Sequence, residues 1–332
     1  MTKIKGNKVK MSDLGIISQV AHMYYNLDMQ QPEIAKRLYF SRPKVSRMLK
    51  KAREIGVVEI HVNRYQDRMT SIEQKMKDLF TLKDVIVLSK GEENPDEADE
   101  GLTNFAALYV SQLLKDNINF GITGGGTVYR IIKKLPKVEV SGMNAVQVIG
   151  ASANQYIAGE ARELVNHIST LLSASGHYLN TPLYIEDLYA KEILMRDPNV
   201  GKVLDYMKRL DILLTGIGSF SLGEDAPNWF GYMTQAHREE LQSLGAVGSI
   251  CAQYFDIRGN LIDCEWNRKC VAIPFPDMHR TPLTIGAAAG PKKVLSILGA
   301  LRGHHMQVLI TDADTASQII EHEESGSNKI FR

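Results

Sequence analysis

Few packings suit the stretch QPEIAKRLYFSRPKVSRMLKKAREIGVVEIHVN at positions 31 to 63. Its apolar residues Ile34, Ala35, Leu38, Val45, Met48, Leu49 and Ala52 recur every three or four positions, which places them on one face of each of two short helices. A turn at Tyr39 and Phe40 divides the two. Upstream, Ile16, Ile17, Val20, Ala21, Tyr24 and Tyr25 repeat at helical spacing and supply a supporting helix. Ser41 is expected to cap the second helix of the pair, its hydroxyl accepting from an amide of the first turn, with Pro43 just inside the start. Gln30 and Gln31, before Pro32, make a weaker cap, so packing is expected to hold the first helix of the pair. Gly56 is expected to end the second, because glycine tolerates positive φ. The run VVEIHV at 57 to 62 then alternates enough to form the strand of a wing. The whole reads as a winged helix-turn-helix.

Around the second helix, Arg42, Lys44, Ser46, Arg47, Lys50 and Lys51 project away from the apolar face, and Ser41 opens it. A helix of this kind presents its N-terminal half to base edges in the major groove. Arg42, Lys44 and Arg47 are therefore the expected base readers, while Lys50, Lys51 and Arg53 lie further along, where phosphates are met. A solvated cationic face is the bland alternative, and the charge distribution weighs against it. Residues 1 to 63 hold 12 Lys and Arg against 5 Asp and Glu, whereas the remainder holds 27 against 33. Positive charge confined to one module is what duplex binding requires, since phosphates need neutralising only where DNA lies.

At 332 residues and 44% apolar, the chain is long enough for two domains, expected at 1–65 and 66–332. No apolar run approaches the length of a membrane span, and the N-terminus lacks the apolar segment of a signal peptide. Cys251, Cys264 and Cys270 show no zinc-type spacing, so reduced thiols, no metal, no cofactor and a cytoplasmic location are expected. The adjacent His304 and His305 are expected on opposite sides of a strand, as structural or solvated residues. Beyond residue 66, strand and helix patterns alternate: strands at 85–88, 120–122, 145–149, 177–179, 212–215, 283–285 and 308–310, with helices at 102–114, 127–134, 158–173, within 185–209, 292–301 and 313–320. That order implies a Rossmann-like, doubly wound α/β sheet. A helix at 70–82 precedes it, and the acidic run GEENPDEADE at 91–100 reads as a loop or helix start.

The richest loop is GITGGGTVY at 121–129, between a strand and a helix. In an open α/β sheet, ligands sit at the carboxyl ends of strands, and a glycine-rich turn opening a helix offers backbone N–H groups and a favourable dipole to an anion. Thr123 and Thr127 add hydroxyls to Gly124, Gly125, Gly126 and Val128. No lysine follows the glycines, so this is not a nucleotide-hydrolysing P-loop. A second turn at Gly216, Ile217, Gly218 and Ser219 can line the same crevice, and a third at Gly290, Pro291, Lys292 and Lys293 brings a lysine to a helix start.

These blocks, together with LLTGIGS at 213–219, GAVGSICAQYFDIRGN at 245–260 and the closing stretch through LGALRG and LITDADTA, resemble the SorC/DeoR-type family of sugar-responsive bacterial transcriptional regulators over nearly the full chain. The resemblance implies an effector domain similar in fold to sugar-phosphate isomerases and deaminases. It also implies a phosphorylated sugar or related metabolite as effector, and a tetramer that holds operator DNA, as repressors do, until the effector rearranges it. It places the anion loop on Gly124 to Val128 and the phosphate lysine on Lys293. Two positions depart from the pattern: Ser249 stands where relatives often carry Asp, and Ala289 where the late turn has its first glycine. The Asn228-Trp229 pair resembles the polyol and sorbose regulators, which favours a sugar- or polyol-phosphate. The competing class is a sugar-phosphate isomerase- or deaminase-like enzyme with a DNA-binding appendage. It needs a positioned acid and base, and Glu160, Glu186, Asp187 and Asp225 show no spacing that assigns one.

Overall fold

The computed structural model describes residues 3–4, 7–8, 11–58, 67–89, 95–152, 159–220 and 232–326. The chain falls into two compact units, Met1–Asn63 and Arg64–Arg332. In the first, the two-residue strands Lys3–Ile4 (β1) and Asn7–Lys8 (β2) pair antiparallel, and the helices Met11–Tyr25 (α1), Gln31–Arg37 (α2) and Arg42–Glu54 (α3) follow. Val20 and Met23 of α1 pack with Ile34, Ala35, Val45 and Leu49, and Ile17 and Ala21 with Ala52 and Ile55.

Three local expectations are corrected in this unit. Ser41 starts α3 without a side-chain cap, its carbonyl accepting instead from the Lys44 and Val45 amides at 2.9 and 3.1 Å. The start of α2 is held by Glu33, whose carboxylate accepts the Gln30 N–H at 2.8 Å, the reach-back half of a capping box. Val57 and Val58 belong to the helix-ending turn rather than to a strand, and 59–62 of the expected wing lie outside the described residues. Gly56 does end α3, at φ +77°. The Val57 N–H reaches Ala52 O at 2.9 Å and the Gly56 N–H reaches Arg53 O at 3.3 Å, which is a Schellman motif with glycine at its left-handed position.

The second unit runs Thr70–Leu79 (α4), Asp84–Leu88 (β3), Pro95–Leu113 (α5), Asn119–Ile122 (β4), Gly126–Lys134 (α6), Asn144–Gln147 (β5), Ala161–Leu172 (α7), Ser175–His177 (β6), Leu188–Met195 (α8), Pro198–Met207 (α9), Ile212–Gly216 (β7), Gly218–Ser219 (β8), Gln235–Ser243 (α10), Ala246–Ile250 (β9), Gln253–Asp256 (β10), Glu265–Lys269 (α11), Phe275–Arg280 (α12), Leu283–Ala287 (β11), Val294–Arg302 (α13), Val308–Asp312 (β12) and Ala313–Glu324 (α14). A 3-10 turn at Pro291–Lys293 leads into α13. Seven strands form one parallel sheet in the order β3-β12-β11-β7-β4-β5-β6. Alternate residues of a strand point to opposite faces, and here each face has its own core. Val85, Val87, Val146 and Leu213 join one cluster; Ile86, Leu88, Ala145, Ile212 and Leu214 join the other. Both faces are covered, as the continuous apolar strands require.

The helix 102–114 extends back to Pro95, the strand expected at 145–149 ends at Gln147, and the strand expected at 177–179 lies at Ser175–His177. His304 and His305 sit in the loop between α13 and β12, not on a strand. A small antiparallel sheet, β10-β9-β8, is an addition that the sequence pattern did not reveal. Its β9–β10 hairpin turns on Cys251 and Ala252, at φ +48° and +62°. Two-residue hairpins of that hand usually take Asn-Gly, so this one gives no turn signal in the sequence. Among the described residues, no helix is long and apolar enough to cross a membrane.

Candidate functional site

Strand order fixes where a ligand can enter. From β4 the chain builds outward through β5 and β6, while from β7 it builds the other way through β11 and β12, so the order reverses between the adjacent β4 and β7. Loops leaving the two strands part at such a point and leave a crevice at their carboxyl ends. A cavity of about 160 Å³ lies there. Thr123, Gly124, Gly125, Gly126, Thr127 and Val128, between β4 and α6, form one wall. Gly218 on β8, Ser249 on β9 and Lys293 at the foot of α13 complete it. Of the residues singled out in the sequence, Thr123 to Val128, Gly216, Ile217, Gly218, Ser249 and Lys293 thus border one space, whereas Ser219, Gly290, Pro291 and Lys292 of the two later turns are not in its lining. The sequence did not single out Ile149, Thr215, Cys251 or Ala252 for it; two of these belong to the hairpin that lacked a turn signal.

Gly125 sits at φ +117° and its N–H is spent on Gly159 O at 2.8 Å, so it is not a free donor as the glycine-rich reading had it. The amides of Gly126, Thr127 and Val128 follow. The first bond within α6 is that from the Tyr129 N–H to Gly125 O at 2.9 Å, so these three have no acceptor inside the helix and carry its positive end. Gly124 is needed for closeness: a Cβ there would meet Gly159 O at 2.8 Å. Across the cavity, the Lys293 ammonium donates to Ile217 O at 2.8 Å, and burial lowers its pKa. Ser249 is only 1% exposed, and its hydroxyl has no partner among the described residues. Gly218 makes room for it, since a Cβ at 218 would lie 2.4 Å from Ser249 Oγ. The Thr123 hydroxyl makes only long contacts, 3.5 Å to Leu214 O and to Thr215 Oγ1. Burial pushes the Cys251 thiol up to about 12, the Thr215 hydroxyl opposing it, so it stays protonated at neutral pH and is no nucleophile.

The space therefore offers one cation, a helix start and buried hydroxyls, the donor set of a site for a small anion. Three of the four carboxylates weighed as catalysts do structural work elsewhere. Glu160 caps α7, accepting from Arg162 N at 2.7 Å; Asp187 caps α8, accepting from Ala190 N at 2.9 Å; Glu186 accepts from Lys269 at 2.9 Å. No carboxylate or histidine stands in the described lining. Asp225 and the Asn228-Trp229 pair lie outside the described residues. No group of three or more His, Cys, Asp or Glu among the described residues could hold a metal ion.

On α3, Val45, Leu49 and Ala52 are buried, and Ser41, Arg42, Lys44, Ser46, Arg47 and Lys50 are exposed on the other side. Lys51 is half-buried and pairs with Glu54 at 3.7 Å. Lys44 Nζ stands 3.8 Å over the Phe40 ring, and Arg47 Nε donates to Pro43 O at 3.4 Å. The face is cationic and open along its N-terminal half.

A family model described as "Putative sugar-binding domain" matches residues 65–321. The sorbitol operon regulator of Klebsiella pneumoniae is 29% identical over 314 residues, 93% of this chain and 98% of that protein. The deoxyribonucleoside regulator of Bacillus subtilis is 27% identical over 304 residues, 91% and 96% of the two chains. Among solved structures, the full-length sorbitol operon regulator SorC from Klebsiella pneumoniae superposes with a TM-score of 0.74 at 28% identity, covering 95% of this chain and all of that one.

Proposed function

We propose, from the premise that this chain belongs to the sugar-binding domain family whose model spans residues 65–321, that the cavity between β4 and β7 takes the phosphate of a sugar- or polyol-phosphate effector. The chain is a sugar-responsive transcriptional regulator, and its relatives are named as regulators rather than enzymes. Its N-terminal unit binds operator DNA through α3, with Arg42, Lys44 and Arg47 at base edges. The chain works as a homo-oligomer, a tetramer, whose DNA heads match or miss paired half-sites according to effector occupancy.

One observation carries the effector reading. Lys293 and the amides at the start of α6, which have no acceptor within the helix, come from distant parts of the sequence and border one small cavity at the strand-order reversal. A dianion there gains both the helix dipole and a buried ammonium. A thermal-shift screen over phosphorylated sugars and polyols tests it, since a ligand held only by the folded state stabilises by about 2.7 kcal/mol at a hundred times its Kd. A phosphorylated compound is expected to raise the melting temperature while its unphosphorylated parent does not. Thr127→Ala and Lys293→Ala are each expected to weaken that compound about tenfold or more, which is about 1.4 kcal/mol. Equal shifts with the unphosphorylated parent, or full response in both variants, would overturn the proposal.

A further inference from the structure

The helices α2 and α3 end in the same way, with different residues at the critical position. At the end of α2, the Phe40 N–H reaches Ala35 O at 2.8 Å and the Tyr39 N–H reaches Lys36 O at 3.5 Å. This is the Schellman pattern again, and Tyr39 takes the left-handed place that Gly56 takes after α3. Tyr39 lies at φ +56°, a region where a side chain with a Cβ is strained and glycine is not. Nothing in the packing offsets that strain, because Tyr39 is 96% exposed while the neighbouring Leu38 and Phe40 pack into the core of the unit. A large aromatic ring is thus held out in solvent at a position where glycine would serve the fold better.

Its surroundings indicate what meets it. From residue 34 to residue 53 the sequence has eight Lys and Arg and no Asp or Glu. Lys36 and Arg37 before Tyr39, and Arg42 and Lys44 after it, are all exposed. The turn sits directly ahead of the helix assigned above to the major groove, and a helix that enters a groove by its N-terminal end brings the residues ahead of it close to the sugar-phosphate backbone. Tyrosine suits a backbone: its ring packs on deoxyribose, and its hydroxyl donates to a phosphate oxygen.

We infer that Tyr39 is a further DNA contact, gripping the sugar-phosphate backbone beside the groove that α3 enters, and that its left-handed conformation is kept for this purpose. The inference rests on the DNA-binding reading of the first unit. Because the contact reads no bases, it is tested on a 40-base-pair duplex of mixed sequence at low salt, with the full-length chain and fluorescence anisotropy. Tyr39→Gly and Tyr39→Asn, both suited to positive φ, are expected to bind about three- to tenfold more weakly, in the range of one lost neutral contact. The slope of log affinity against log salt is expected to stay as in the parent, because no charge is removed. Hydrogen exchange in α2 and α3 is expected to be no faster than in the parent, which separates a lost contact from a damaged fold. Parent-like affinity in both variants would sink the inference, as would a change in association state in place of a change in DNA affinity. Failure of the unaltered chain to bind the duplex would instead sink the reading of the first unit.

Discussion

Lys293 is held in a compromise. Its ammonium has a carbonyl acceptor, Ile217 O at 2.8 Å, yet burial holds its pKa below the ordinary lysine value of 10.5. A dianion in the cavity would supply the missing opposite charge and raise that pKa again. The sign follows from linkage: where the empty site has released its proton and the filled site retains it, binding must take one up, so affinity falls as pH rises through the lowered value. Calorimetric titrations with the compound found by thermal shift, from neutral to alkaline pH, are expected to show this fall below the pH at which an ordinary lysine titrates. Lys293→Ala is expected to bind weakly with that fall abolished. An affinity in the parent that is flat over the range would remove Lys293 from the contact. Ser249 offers a prediction of mixed sign. Its buried hydroxyl has no partner among the described residues, and an unpaired buried polar group costs on the order of 1–3 kcal/mol. Ser249→Ala is therefore expected to stabilise the unliganded chain, by about 1 kcal/mol after the loss of packing, while weakening the effector. Chemical denaturation without ligand and titration with it check the two signs, and loss of stability in the empty protein would show that the hydroxyl is satisfied.

At the scale of elements, legibility tracks how local the cause is. The parallel strands were visible because two-sided burial leaves continuous apolar runs such as VIVL at 85–88. The helix α6 and the glycine-rich turn before it were visible because three glycines between a strand and an amphipathic helix mark a tight turn at a helix start. Boundaries were less legible where the deciding group is distant in the chain. The strand β5 stops at Gln147, and Ile149 bridges to Ala272 instead, a partner no window around 149 contains. The hairpin β9–β10 was illegible for a different reason: Cys251 and Ala252 adopt conformations that other turns give to Asn and Gly, buried against the cavity they line. Strain of that kind is often stored at binding sites, and here the turn rule failed at two residues that line the candidate site. On α3 the exposed cations followed from helical spacing, whereas the missing Ser41 cap and the Glu33 reach-back to Gln30 depend on a rotamer choice that spacing does not encode.

Across the whole molecule, charge separates two binding events that must nevertheless be coupled. The first 63 residues are strongly cationic and the rest is net acidic, so net charge gives the second unit no long-range pull on anions, and capture at the proposed site would rest on the short-range set of Lys293 and the α6 amides. Partly buried pairs of that kind are weakly screened, whereas DNA binding releases counterions and weakens steeply with salt. Salt therefore changes one affinity with little effect on the other. Regulation requires a coupling free energy between the sites, and equilibrium makes it reciprocal: if the effector weakens DNA binding by some factor, DNA weakens effector binding by the same factor. Useful regulators reach about 1–3 kcal/mol, a factor of about 5–150. The affinity of the compound found by thermal shift is to be measured with and without saturating duplex from the chain's own promoter region, and the affinity of that duplex with and without the compound. The two ratios are expected to agree. In high salt, where the duplex is released, effector affinity is expected to return to its DNA-free value. A compound that binds the cavity yet leaves both ratios at one would have no differential affinity for the DNA-bound and free states, and the cavity would then be a binding site without a regulatory role.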